Sequence, residues 1–458
     1  GKGALDANTT ADHNVAIGIG AMGANTTGTR NIGIGANALD AATTADDNTM
    51  IGYNAGTALT TGPENTAVGR SALATATTAQ HNVAIGKSAL NAATSSSNCV
   101  AVGMNALLSN TSASNNVAMG YSALYANTTG ASNVALGSNA LDANTTASNN
   151  TAVGKSALGA NTTGDQNTAV GSLAADALTT GAQNVAVGYA ALSTAITGIG
   201  NTAVGRAALN ENTGSSNTAV GQDALEANTS GGTNTAVGAQ ALTANTTANN
   251  NTAVGYFALP ANTTGDLNVA VGTQALESNT VGDRSVAIGH GALNQQNPAS
   301  KSDMNNTAVG LNAGAGVTTG TRNTLLGSEA GDALTTGVKN TIIGYATEAS
   351  ANNADSQIVL GYSVVGHGDN KFTFGEGTGN NRVYNSFTVN SSWTRVSDER
   401  YKEEIQNNTD CGLDFINELR PVTYKWKTKA NIDNTLPDYD ATKTSKDYDG
   451  KMYGLIAQ

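Results

Sequence analysis

The chain is short of most of what a catalytic globular domain uses. Charged residues make up 12% of its 458 residues and aromatics 4%, with 5 prolines and 2 cysteines; ordinary domains carry about 25% charge. Length alone would suggest about three domains of ~150 residues, but a chain so poor in Phe, Trp, Met and charge cannot build three conventional cores. Disorder fits poorly too, because disordered chains are usually charged or proline-rich, and this one has a steady supply of Val, Ile and Leu. No run of about 18 apolar residues occurs, so no membrane insertion is expected. No signal peptide is recognisable, and the start at Gly1 without Met points to a fragment or processed piece. The net charge of −12 comes from a thin scatter of acids, which argues against nucleic acid bound through its phosphates. Cys99 and Cys411 lie far apart and read as free or incidental. His13, His81, His290 and His367 are isolated, without metal-ligand spacing, so neither metal nor cofactor is expected.

Glycine is the abundant residue, with 54 copies. It does not recur every third residue, which excludes collagen. It closes a short Asn-x-Ala-Val-Gly-like run at Gly18, Gly35, Gly52 and onward every 17 residues to Gly205. The interval is then 16 once, to Gly221, and 21 once, between Gly289 and Gly310, before the 17-residue beat resumes to Gly361, giving 21 copies. That period is too short for a helical hairpin or a propeller blade and too long for a heptad. One coil of a parallel β-solenoid fits it, and the fold class expected is all-β.

Runs such as Asn65-Thr66-Ala67-Val68 and Asn82-Val83-Ala84-Ile85 suit a short strand. Side chains alternate along a strand, so Val or Ile before the glycine is expected to face the core and Ala to face out. Four residues past the glycine a second large residue recurs, as Leu73, Leu90, Leu107 and Leu124. Where that position is small the apolar residue stands seven past the glycine, as Leu59, Leu178, Val317 and Leu334. To aim Val and Leu inward together the chain must turn at the glycine, which makes it a corner. Thr recurs eight past the glycine, as in Thr26-Thr27 and Thr128-Thr129, and Asn recurs at the strand start, as Asn31, Asn48 and Asn65. Stacked about 4.8 Å apart, these form ladders, the Asn side chains satisfying backbone groups at the turns. Twenty steps then give a rod roughly 95 Å long. A coil this thin has a slim core, so a lone rod is marginal and side-by-side association, with three-fold symmetry as one closed solution, is expected.

The Asn-x-Ala-[Val/Ile]-Gly run with its Ala-Leu partner resembles the head repeats of trimeric autotransporter adhesins, which form a left-handed parallel β-roll in a trimer. The coils here are longer than that family's usual head coil.

From Ser397 the chemistry changes. Residues 397–458 hold 9 basic and 12 acidic residues, 21 charges in 62 positions, against 35 in the first 396. The expected organisation is a solenoid over 1–361, a β-rich neck over 362–396 with strands at Lys371–Phe374 and Ser386–Val389, and a small mixed domain over 397–458. Arg400 to Asn407 and Cys411 to Leu419 look helical, with Pro421 as a stop. Ser397-Asp398-Glu399-Arg400-Tyr401-Lys402, then Leu419-Arg420-Pro421-Val422-Thr423-Tyr424-Lys425-Trp426 and Tyr453-Gly454-Leu455-Ile456-Ala457-Gln458, resemble the intramolecular chaperone domain of the endosialidase type. That domain ends many phage tail spikes and fibres, and the block reached here is normally followed by more helix. The resemblance implies a segment that trimerises, helps a β-rich stalk fold, and is released by self-cleavage through a serine and lysine, which map onto Ser397 and Lys402. A lysine amine partly desolvated at a subunit interface can act as the base for such a hydroxyl. By its residues alone, Ser-Asp-x-x-x-Lys is a weak signal for such chemistry, and Ser397 reads as a helix N-cap with acids in the first turn.

The resulting expectation is a homotrimeric phage tail fibre, extracellular in the virion, that reaches a host receptor or glycan. The alternative is a bacterial trimeric surface adhesin, which should instead end in a coiled coil and membrane barrel. Ice binding by the Thr ranks is weaker, since adjacent Thr residues in a strand point oppositely. A polysaccharide-degrading site needs two carboxylates about 5–10 Å apart in a cleft. Asp165, Glu211, Asp223, Glu226 and Asp266 fall at loop positions where only stacking could bring separate coils together, with no aromatic platform beside Asp223 and Glu226. Asp447-Tyr448-Asp449-Gly450 lacks the closing Glu of a calcium loop and reads as a solvated turn. Asn297–Lys301 widens one coil and is a candidate contact loop, or a plain surface bulge.

Overall fold

The computed structural model describes residues 1–378, 381–388, 394–395, 421–424 and 452–455. The chain divides into two compact units, Gly1–Val396 and Ser397–Gln458. The first is a parallel β-solenoid of about 21 coils. Three-residue strands from Val15–Ile17 through Thr341–Ile343 stack one above another, each paired in register with the next coil, as Thr151↔Thr168, Ala152↔Ala169 and Val153↔Val170. They belong to one 24-stranded sheet, and no helix occurs among the described residues.

The inward residue of each strand is the alanine, which corrects the expected facing. Ala67, Ala84, Ala101 and their counterparts are fully buried, while the flanking Thr or Val and the Val or Ile before the glycine are half-buried or exposed. The reason is volume. The Leu four past the glycine is fully buried in coil after coil, as Leu107, Leu124, Leu141 and Leu158, and it leaves room for only a methyl beneath it. Where the strand residue is larger, the partner shrinks: Met50 stands over Gly56 and Leu325 over Gly331. A Cβ on either glycine would lie only 2.7 Å from Met50 Sδ or 2.8 Å from Leu325 Cδ2. Gly33 is the converse case, its place taken by Met22, whose Cγ lies 2.8 Å from where a Cβ would sit. Packing at interior density tolerates the exchange and not the sum. The alternative slot also holds: Leu59, Leu178, Val317 and Leu334 are buried.

The chain does bend at the repeat glycines, all of which have φ between 130° and 144°. They are not the only corners. In the coil after Gly69, Ser71, Leu73 and His81 have φ of 56°, 55° and 58°, and the same three places are left-handed in most coils. Such residues cost roughly 1–2 kcal/mol each. Each is held by a bond to a neighbouring coil: Ser71 N–H to Tyr53 O at 2.9 Å, Leu73 N–H to Ala89 O at 3.0 Å, His81 N–H to Pro63 O at 3.2 Å.

Buried polar ladders run up the rod. Asn65 accepts from the Asn82 backbone N–H at 3.1 Å and donates to Ala79 O at 2.9 Å and Asn48 Oδ1 at 3.1 Å, so the strand-start Asn column closes turns and links coils. A second column, seven past the glycine, escaped the sequence reading: Asn127 donates to Asn110 and Asn144 to Asn127, each at 2.8 Å. It breaks where Leu178 replaces the next Asn, and there Asn161 Oδ1 is left without a donor. Cys99 is a free, buried thiol occupying a place in the strand-start column.

Beyond the last coil, Ile358–Tyr362 pairs in parallel with Lys371–Glu376, which pairs antiparallel with Arg382–Ser386. The solenoid's last strand edge is thereby covered. The third of these strands ends at Ser386, with Phe387 and Thr388 in a turn, so the expected Ser386–Val389 strand lies earlier in the chain. In the second unit, Pro421–Tyr424 pairs antiparallel with Met452–Leu455. The helices expected at Arg400–Asn407 and Cys411–Leu419 lie outside the described residues.

Candidate functional surfaces

Alternation puts two residues of every strand on the outside, three and one before the glycine. The latter is Val, Ile, Leu or Met in all 21 coils. Stacking in register makes it one uninterrupted apolar column, and its members remain open to solvent in a single chain: Ile85, Met119 and Leu326 are about two-fifths exposed, at 40%, 44% and 45%. The outer column three before the glycine is Val, Ile or Thr throughout, without a charge.

The first rank of the Thr pairs is committed to the scaffold. Thr128 Oγ1 donates to Thr145 O at 3.0 Å and Thr145 Oγ1 to Thr162 O at 3.2 Å, a pattern that repeats along the rod. A hydroxyl spent on the neighbouring coil's carbonyl is not an ordered water template, so this rank does not supply an ice-binding surface.

Three of the acids weighed for glycoside chemistry serve the scaffold. Asp165 accepts the Ser148 backbone N–H at 2.6 Å and Asp266 that of Asn249 at 2.7 Å. Asp223 pairs with Arg206 at 2.8 Å. Stacking does bring Asp223, Glu226 and Glu211 within electrostatic reach, and burial first, then the Asp223 charge, pushes the Glu226 carboxyl above its ordinary range. The inserted segment folds back on the rod: Ser302–Asp303 pairs with Gly282–Asp283, and Lys301 Nζ reaches Asp266 at 2.5 Å and Thr264 O at 2.8 Å. It is a brace across three coils.

A further acid pair lies near the end of the solenoid. Glu348 is pushed up to about 8 by burial and by its hydrogen bond and charge interaction with Asp332, and its Oε1 accepts the Ala333 N–H at 3.4 Å. No group of three or more His, Cys, Asp or Glu suited to a metal ion occurs among the described residues. No described helix is long and apolar enough to cross a membrane.

Ser397 and Lys402, like Asp447–Gly450 and Cys411, lie outside the described residues, so the serine–lysine pair has no geometry here. The fold defines the first unit as a β-solenoid rod. Residues 397–458 match the family described as chaperone of endosialidase, over a span that begins at Ser397. No curated protein matches the chain.

Proposed function

We propose that the chain is the shaft or head of a homotrimeric phage tail fibre that carries host attachment in the virion. Its C-terminal segment assists folding and is then released by cleavage before Ser397. The chaperone-family match at 397–458 supports a β-rich stalk that needs help to fold and favours a fibre over a membrane-anchored adhesin. The observation that carries the reading is the apolar column. At ~4.8 Å per coil and ~3.3 Å per strand residue, the outward strand face is about 95 Å long and about 10 Å wide, roughly 950 Å². Monomeric proteins rarely expose patches beyond ~300–600 Å², and ~800 Å² per partner suffices for a stable interface. In-register stacking lets identical rods pack these faces about a common axis.

Light scattering on the full chain tests this. Three times 45.7 kDa is expected. Val153→Lys, Val170→Glu and Val187→Lys together place opposite charges on successive coils, which a single rod accommodates by cross-strand pairing but a dry interface does not. That variant is expected at the monomer mass; a monomeric parent, or a variant that stays trimeric, refutes the reading. For release, a chain extended to the full chaperone is expected to give two bands on a denaturing gel and Ser397→Ala one. Equal cleavage in both removes Ser397 from the role.

A further inference from the structure

The residue just after each repeat glycine forms a column of its own beside the apolar face. Six of the seven tyrosines in residues 1–362 fall in it. Tyr53, Tyr121 and Tyr189 are 68 residues apart, four coils each, and Tyr256 follows after 67, four coils that include the 16-residue one. Each is 50–57% exposed. Lys87 and Lys155 stand in the same column, each two coils from the tyrosine on either side, and both are exposed. Arg70 follows Tyr53 by one coil, its guanidinium 5.9 Å from the ring centroid, and Arg206 follows Tyr189 while pairing with Asp223. None of the 22 acids in residues 1–396 occupies the column, although acids outnumber bases there 22 to 13.

A random scatter of tyrosine over 17 columns does not give this pattern, and folding does not require it. Alanine, serine and threonine fill the same place in other coils, as Ala36, Ser138 and Thr273. Tyrosine presents a flat apolar face with a polar tip, suited to the C–H face of a pyranose, and a lysine between two such rings suits a carboxylate or sulfate. At ~4.8 Å per coil, the rings recur every ~19 Å, with a lysine about 10 Å from Tyr53, Tyr121 and Tyr189.

We propose that this column is a binding track for a linear anionic polysaccharide lying along the rod, its sugar faces on Tyr53, Tyr121, Tyr189 and Tyr256 and its acidic groups at Lys87 and Lys155. The inference deepens the attachment reading by naming the partner's chemistry, and it does not depend on the number of chains.

Affinity electrophoresis of the full chain through gels containing alginate, dextran sulfate or neutral dextran tests it. Retardation by one or both anionic polymers, reduced by added salt, and none by dextran is expected; carboxylate and sulfate specificity separate by which gel retards. Tyr121→Ala, Tyr189→Ala and Tyr256→Ala together should weaken retention about tenfold or more, as for loss of aromatic anchors. Tyr125→Ala, outside the column and also exposed, should leave it unchanged. Retention by neither anionic polymer, or equal retention of parent and triple variant, overturns the proposal. Light scattering on the same samples separates the two readings. A monomer that is still retarded sinks the trimer and keeps the track; a trimer that is not retarded does the reverse. A triple variant that loses both its oligomeric state and its retention reassigns the column to subunit contact and also overturns the track.

Discussion

Two substitutions in one coil, two residues apart, should move stability in opposite directions. Gly154 has φ 136°, and a Cβ there would press well inside van der Waals distance of the Gly171 carbonyl oxygen in the next coil. Gly154→Ala thus combines a backbone conformation that costs ~1–3 kcal/mol outside glycine with an overpacking cost of ~1–3 kcal/mol, against backbone atoms that are themselves hydrogen-bonded. The sum is about 2–6 kcal/mol. Ser156 is the left-handed residue that follows, with φ 55° and its N–H bonded to Ser138 O at 2.9 Å. Ser156→Gly relieves a cost of ~1 kcal/mol but adds unfolded-chain entropy of about half that or more, so a gain of at most ~0.5 kcal/mol is expected. Stability in a stacked array is a sum of local and nearest-neighbour terms, so a single melting temperature blurs the effect. Amide hydrogen exchange across residues 137–188 resolves it. At tenfold per ~1.4 kcal/mol, Gly154→Ala should raise exchange there about 30-fold to about 10⁴-fold, while coils near Gly52 stay unchanged. Exchange unaltered by Gly154→Ala, or slowed by it, would show that the coils are not stacked with these glycines in a column.

The second Asn ladder yields a milder prediction. Asn144→Ala removes the donor to Asn127 Oδ1 and one acceptor of Asn161 Nδ2, at 2.8 and 3.1 Å, and should cost ~1–3 kcal/mol in urea unfolding. A midpoint equal to the parent's would mean water or rearrangement replaces the ladder. The Glu348 carboxyl supplies a pH dependence with a definite sign. Its folded value, about 8, is above the ordinary 4.5, so the folded form holds a proton that the unfolded form has lost. Its contribution is therefore most favourable below pH ~4.5, falls as pH rises toward 8, and is constant beyond. Glu348→Gln should flatten the stability profile between those limits and protect residues 327–361 from exchange at pH 8. A profile identical to the parent's would place the proton elsewhere.

Much of this was legible in the residues. The 17-residue beat, the run of β-branched and small residues before each glycine and the leucine after it sufficed for a parallel solenoid, and the alternative leucine slot was visible as a substitution pattern. Likewise the block beginning Ser397-Asp398-Glu399-Arg400 pointed to the family that residues 397–458 match. The tyrosine column was equally present in the string. It shows only once coils are aligned and exposure is known, because a residue that recurs every fourth coil is lost in a 17-residue consensus.

Periodicity is a property of sequence that survives any choice of orientation, which is why the chain alone determined that its coils stack and where each begins. Which side of the strand faces inward was not determined that way: alternation offers two answers, and only the space left under Leu107 or Leu141 decides that alanine enters and valine stays out. The same holds for the acids and for Lys301, whose partners lie one or more coils away along the stacking axis, a direction in which neighbours in space are strangers in sequence.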